Sequence, residues 1–411
     1  MEYTQNEVIQ YVKENDVKFI KLFFTDIFGS LKSISIQPSI LQRAFKEGVP
    51  FDASSELGFL RESDDDLYLV PDPTTLSVLP WRPQRGRVAR LYCTIRHKDG
   101  SIFEGDMRSL LQATIKKAES LGVEVNVGTL CEFYLSKWTD GERHSHDYAG
   151  YCDVAPSDKG ENVRRDIILT MEQMGIEPET SHHEKGNGQN QIDFKSSTTL
   201  KAADNFTTFK NVVTTIAVQD GLEASFNPIP HNFGAAQGSG LHFHFVLYKN
   251  GEKLIGETNP DAQAFAAGII NRISDITAFL NPVPESYARL GSHEAPRYIT
   301  WSRGNHAQLI RFYTTFNEET QIVLRSPDPS CNQYLALALI IEAGLEGMQN
   351  KLTLPKSTDV DLRIAPESVT GKLKTLPLDY DEAWSLALKS SFVQGILSKR
   401  VIEAFKEAKV D

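Results

Sequence analysis

The most informative stretch of the 411-residue chain is Leu241-His242-Phe243-His244-Phe245-Val246-Leu247-Tyr248. Successive side chains of a strand point to opposite faces, so strict alternation puts His242, His244 and Val246 on one face and Leu241, Phe243 and Phe245 on the other. Two imidazoles opposite an aromatic face suit site lining, because a solvent-facing strand more often carries Thr, Lys or Glu; an exposed polar face is the plainer reading. Asn250-Gly251 follows, a strong hairpin signal.

In Leu130-Cys131-Glu132-Phe133-Tyr134-Leu135 the same alternation aims Glu132 away from the side taken by Cys131, Phe133 and Leu135. Ser181-His182-His183-Glu184 runs into the glycine-rich turn Lys185-Gly186-Asn187-Gly188. Two imidazoles and a carboxylate there suit metal ligation or acid–base work, and equally a solvated strand end.

The elements that must position these residues change character along the chain. The first hundred residues alternate short pieces: a helix over Asn6–Glu14, strand-like runs at Val17–Phe24 and Leu31–Ile36, and a helix over Ser39–Lys46. After the strand Val88–Thr94, long amphipathic patterns predict helices over Met107–Leu121, Glu161–Met174, Leu200–Val218, Asp261–Leu280, Asn332–Lys351 and Phe392–Ala408. Asn259-Pro260 caps one start, and Gly175 is a plausible stop. The class is α+β, with a domain over residues 1–97 and a second over 98–411.

Composition narrows the function classes. A 40% hydrophobic, 24% charged chain is that of a globular protein, not a disordered one. The balance of 43 Lys+Arg against 54 Asp+Glu argues against nucleic acid as a partner. Four scattered cysteines (Cys93, Cys131, Cys152 and Cys331) without CxxC spacing are expected to be reduced core thiols. The N-terminal residues lack a signal-peptide pattern and no long apolar run occurs, so a cytoplasmic protein without membrane partners is expected.

Seven segments, in order, resemble the glutamine synthetase family, bacterial type I. They are Phe24-Thr25-Asp26-Ile27-Phe28-Gly29, Phe51-Asp52-Ala53-Ser54-Ser55, Gly150-Tyr151-Cys152-Asp153-Val154-Ala155-Pro156, Ser181-His182-His183-Glu184, Gly238-Ser239-Gly240-Leu241-His242, Glu294-Ala295-Pro296 and Arg325-Ser326-Pro327-Asp328-Pro329. The resemblance implies an N-terminal β-grasp domain and a larger α/β catalytic domain with a curved antiparallel sheet. It implies nitrogen metabolism, a small-molecule substrate and a homo-oligomeric ring, hexamer or dodecamer, in which Asp52 of one subunit completes the neighbour's site. The chain ends without the segment that joins two rings in type I enzymes, so a stable double ring is the less expected form.

The family's chemistry is ATP-dependent phosphorylation of glutamate followed by attack of ammonia, with two divalent metals. The positions matching the metal ligands are Glu132, Glu184 and Gln191 for one ion, and Leu130, His242 and Val323 for the other. Leu130 and Val323 cannot coordinate a hard cation. Glu132, Glu184 and His242 are left as a set for one divalent ion, Mg²⁺, Mn²⁺ or Zn²⁺. On the nucleotide side Glu179 and Arg311 match, but Asn317-Glu318-Glu319-Thr320-Gln321 replaces basic residues and Val246 a serine, so ATP affinity is expected to fall.

The matching substrate-binding positions are Arg289, Arg325, His306, Gln237, Gly238 and His244, with His306 replacing an arginine and Gln237 an asparagine. Asp52, Tyr151, Glu184 and Glu294 occupy the amine-binding and proton-accepting positions and form the expected catalytic set. Three readings follow: an enzyme of this family acting on an amino-acid-like amine, carboxylate or γ-glutamyl amide without the two-metal ATP reaction; an ATP-dependent ligase of glutamate and ammonia or an amine; or a non-catalytic, metabolite-binding ring.

Overall fold

The computed structural model describes residues 3–55, 59, 64–230, 237–315 and 320–407. Asn317, Glu318, Glu319 and Ala408, named above, lie outside them. The chain divides into two compact units.

The first unit comprises Met1–Ala113, Thr170–Ile176 and Leu397–Asp411. It holds helix α1 (Gln5–Glu14), strands β1 (Val17–Thr25) and β2 (Leu31–Ile36), helix α2 (Leu41–Glu47), and strands β3 (Val49–Phe51), β4 (Leu67–Pro71), β5 (Ser77–Val78) and β6 (Arg87–Arg96). The sheet order is β2-β1-β6-β4-β3 with β5 on β6, and β1 runs parallel to β6. Thr4 and Glu7 form a reciprocal capping box that starts α1.

Helix α3 (Met107–Ser120) leads into the second unit. Its elements are β7 (Val123–Thr139), β8 (Glu142–Ser145), α4 (Glu161–Gln173), β9 (Pro178–His183), β10 (Gln189–Thr198), α5 (Thr199–Gln219), β11 (Glu223–Ser225), β12 (Leu241–Lys249) and β13 (Glu252–Lys253). They continue with α6 (Pro260–Leu280), α7 (Pro284–Arg289), β14 (Trp301–Ser302), β15 (Ile310–Thr314), β16 (Thr320–Leu324), α8 (Gln333–Gln349), α9 (Glu367–Thr370), α10 (Tyr380–Lys389) and α11 (Ser391–Ile396). Helix α12 (Lys399–Glu407) returns to the first unit.

The large sheet runs β14-β15-β16-β12-β7-β10-β9, antiparallel apart from the β14–β15 pair. Its apolar face is built by alternation: Cys131, Phe133, Leu241, Phe243 and Phe245 are fully buried, and Phe245 meets Phe265 of α6. The core helices start as their residues dictate. Asn259 accepts from the N–H groups of Asp261 and Ala262 ahead of Pro260, and Asn332 caps α8 in the same way. Helices α6 and α8 cross at glycines: a Cβ added to Gly268 would stand 2.9 Å from the Gly347 Cα.

Two expectations need correction. The single helix over Phe392–Ala408 is two, α11 and α12, because the chain breaks at Leu397–Ser398 and the Ser398 hydroxyl accepts from the Val401 N–H to start a new helix. Cys152 is exposed, unlike the buried Cys93, Cys131 and Cys331, and sits in a surface turn at φ 58°. Among the described residues no helix is long and apolar enough to cross a membrane.

Candidate active site

The ladders that join β9, β10, β7, β12 and β16 decide which side chains meet. Gln191 pairs with Glu132 on one side and His182 on the other. His242 stands opposite Leu130, while His244 stands opposite Gly128 and Val323. The face therefore gathers side chains from segments as far apart in sequence as Leu130 and Val323. A cavity of about 820 Å³ is lined by Leu130, Glu132, Tyr151, His182, Glu184, Lys185, Gln191, His242, Glu294, His306, Arg325, Asp359, Asp361 and Arg363, among others. A smaller cavity beside it shares Glu132, Glu184, Lys185, His242, Glu294 and Arg325 and adds Gln189, Gln237, Gly238 and Arg289.

The carboxylates differ in environment. Glu132 accepts from the Gly240 N–H at 2.8 Å and from Gln189 Nε2 at 3.3 Å. Burial and the neighbouring Glu184 charge push it up to about 7, against the pull of the Gly240 N–H, Arg289 and Arg325. Glu184 receives His182 Nε2 at 3.0 Å and the Lys185 N–H at 3.1 Å. Burial alone would raise Glu294, but the Lys185 ammonium at 2.5 Å holds it below the usual carboxylate range.

The cationic side is equally specific. Arg325 is buried, its Nη1 lies 3.4 Å from His242 Nδ1, and its buried Nε has no hydrogen-bond partner among the described residues. Burial lowers it to about 10, opposed by Glu132 and Glu294. Arg289 gives Nη1 to the Ser326 carbonyl at 2.8 Å and Nη2 to the Arg325 carbonyl at 3.2 Å. It holds the backbone that carries Arg325, and its aliphatic stem leaves no room for a side chain at Gly238.

Burial lowers His242 far below the usual imidazole range, reinforced by Arg325 and Arg289, and takes His244 down to about 4. Both are neutral at pH 7. His306 is likewise lowered by burial and by Arg311 and Arg325.

The remaining expected residues fall at varied distances from this face. Gln237 offers its carbonyl to the Tyr134 hydroxyl at 2.6 Å, and Tyr151 packs edge-on to His182 with centroids 5.3 Å apart. Arg311 lies over the Tyr313 ring, and Tyr313 and His244 both bond the Gln321 side-chain oxygen. Glu179 is exposed on β9 and does not line either cavity. Asp52 belongs to the first unit, where its carboxylate accepts from the Ser54 N–H and hydroxyl at 2.9 and 2.6 Å.

The expected metal ligands Glu132, Glu184 and His242 line both cavities together. Glu132, Glu184 and His242 each face protein partners, and Gln191 turns its amide to Asp193 at 2.9 Å. Among the described residues, a group of three potential ligand atoms lying within 4.8 Å of one another is Asp147, Asp158 and His183. That trio is internally satisfied: His183 Nε2 meets Asp147 at 2.8 Å and Nδ1 the Glu184 carbonyl, while Asp158 pairs with Arg164. His183 therefore belongs to the framework under Glu184, on the side away from the cavity face of His182.

Sequence reasoning missed Lys185, Asp359, Asp361 and Arg363 as cavity residues. Lys185 follows Glu184 directly and was readable as a cation beside it. The other three come from an irregular segment that Trp301, Asn305 and Gln308 tie down through hydrogen bonds to Pro355, Thr358 and Val360, and no local pattern marks that.

Residues 16–98 match the family described as glutamine synthetase, beta-Grasp domain, and residues 104–411 that described as glutamine synthetase, catalytic domain. A glutamine synthetase of Clostridium saccharobutylicum is 44% identical over 370 residues, covering 88% of this chain and 83% of its own. That of Methanosarcina mazei is 41% identical over 418 residues, covering 99% and 93%. Among solved structures, a GmaS/ADP complex superimposes with a TM-score of 0.87 at 26% identity, covering 98% of this chain and 94% of its own. The Plasmodium falciparum glutamine synthetase reaches the same TM-score at 19% identity over 100% and 96%, a likeness of fold. With this motif order, sheet and converging face, the chain belongs to the glutamine synthetase family.

Proposed function

We propose that the chain is a carbon–nitrogen enzyme of this family acting on a small amino-acid-like substrate, without the two-metal arrangement of ordinary glutamine synthesis. One observation carries the reading: the ionisable Glu132, Glu184, Glu294 and Arg325 share a cavity with Leu130, while Val323 is buried on the adjoining ladder. Aliphatic groups supply no oxygen donors, so the phosphate side cannot be built in the usual way.

In this reading Arg325, which lines both cavities, meets the substrate carboxylate, and Arg289 fixes the backbone of Arg325. Glu132, pushed up to about 7, gives or takes a proton, and Glu184 and Glu294 face the amine or amide. Gln237, Gly238 and His306 complete the substrate walls, with Tyr151 at the amine end; His244, expected among them, lines neither cavity and bonds Gln321. The domain division near residue 97 and a homo-oligomeric ring to which Asp52 contributes a neighbour's group belong to the same proposal. No step is assigned to a metal.

A second reading, ATP-dependent ligation, has specific support: relatives at 41–44% identity are glutamine synthetases, and the GmaS structure is a complex with ADP. Glu179 and Arg311 would then serve the nucleotide. The deciding experiment is a thermal-shift and calorimetric titration with L-glutamate, then with ATP or ADP in Mg²⁺ or Mn²⁺. Glutamate binding lost in Arg325→Met, with no nucleotide binding at millimolar concentration, supports the first reading. Saturable nucleotide binding puts ligation in its place.

A further inference from the structure

The side chain of Lys185 lines both cavities. Its ammonium lies 2.5 Å from Glu294 Oε1 and 5.7 Å from the centroid of the Tyr151 ring. Its backbone N–H is bonded to Glu184, which fixes the start of the side chain beside the second carboxylate. A carboxylate and an aromatic face are the partners a small organic cation seeks. Arg325 and Arg363 are further cations near Glu294; Arg363, at 3.9 Å, is bound through Nε and Nη2 to Asp361 at 2.9 and 2.7 Å.

We propose that Lys185 is a specificity-determining residue: its ammonium is the resident occupant of the cavity's cation subsite, and a free amine reaches Glu294 only by displacing it. The subsite therefore discriminates against ammonium and small alkylammonium ions. It favours a ligand that leaves the Lys185–Glu294 pair in place and presents a neutral or anionic group to the ammonium. Lysine suits this function because its long, flexible stem carries a compact point charge that can also swing aside.

The inference rests on the cavity being the ligand site, as proposed above, and its test reads ion binding rather than turnover. Purified protein is titrated with methylammonium chloride against sodium chloride at matched ionic strength, and thermal midpoints are followed. The wild type is expected to respond alike to both salts. Lys185→Met keeps the stem and removes the charge, and is expected to gain a saturable methylammonium response with an apparent affinity raised about tenfold or more, the weight of one charge-assisted contact. Adding Glu294→Gln to Lys185→Met is expected to abolish the gain.

A folded Lys185→Met protein with no gain overturns the proposal, as does a wild-type methylammonium response equal to that of the variant. Glutamate binding, measured separately, keeps the two readings apart. Its absence with the methylammonium gain intact sinks the substrate reading alone; its presence without the gain sinks the role of Lys185 alone.

Discussion

His242 stands directly across the β12–β7 ladder from Leu130, an imidazole facing an aliphatic side chain at the edge of a charged cavity. The register leaves His242 without a carboxylate partner from that strand, and Arg325 comes to its Nδ1 instead. Placing carboxylates at Leu130 and Val323 tests what this costs metal binding. The double variant Leu130→Glu, Val323→Glu is expected to be destabilised by a few kcal/mol when metal-free, because like charges are buried together, on the order of the penalty for unpaired buried groups. It is expected to recover with Mn²⁺ by more than the wild type does, read from thermal midpoints in a metal titration.

Glu132 gives a pH signature. Its folded-state value of about 7 lies above the ordinary 4.5. In that interval the folded protein holds a proton the unfolded chain has lost, so this group makes stability fall as pH rises from about 4.5 to about 7, then level off. The full shift corresponds to roughly 3 kcal/mol. Glu132→Gln is expected to flatten that slope and to be most stabilising above pH 7. Denaturant unfolding at pH 5 and pH 8 checks it, and an unchanged slope would falsify the assignment.

Asp147 and His183 form a buried pair at 2.8 Å that also takes the Lys159 and Gly188 N–H groups. Burial raises Asp147, but His183 and the backbone donors overcome it and bring it to about 2, while Asp147 raises His183 against its own burial. The Asp147 contribution is present above its ordinary 3.8 and is lost as pH falls through about 2; that of His183 is present below 6.5 and fades as pH rises through its higher folded value. Asp147→Ala is expected to cost about 3–5 kcal/mol, as breaking a buried pair does. Urea midpoints at pH 5 provide the measure.

Gly347 and Gly268 let α6 and α8 touch through backbone. A Cβ on Gly347 would stand 2.7 Å from the Gly268 Cα, with no flexible atom to yield. Gly347→Ala is expected to destabilise by about 2–3 kcal/mol through overpacking. Leucine or valine at exposed Gly395, where a Cβ meets nothing, serves as the size control.

Much of the architecture was legible in local residues. Alternation in Leu241–Lys249 alone separates His242 and His244 from Phe243 and Phe245, because a pleated strand leaves no other arrangement. Asn259-Pro260 announces α6 by chemistry confined to a few residues. The motif order pointed to Glu132, Glu184, Glu294 and Arg325, and the cavity gathers all four.

What only the tertiary structure decided is how those groups spend their interactions. Periodicity assigns a side chain to a face, but partners come from strands and loops far away in sequence, through register and loop path. Thus Arg289 serves carbonyls rather than the cavity alone, Gln191 turns to Asp193, and His183 goes inward to Asp147 while its neighbour His182 meets Glu184. Lys185 looked like part of a turn in the sequence; its position beside Glu294 depends on a loop more than a hundred residues later.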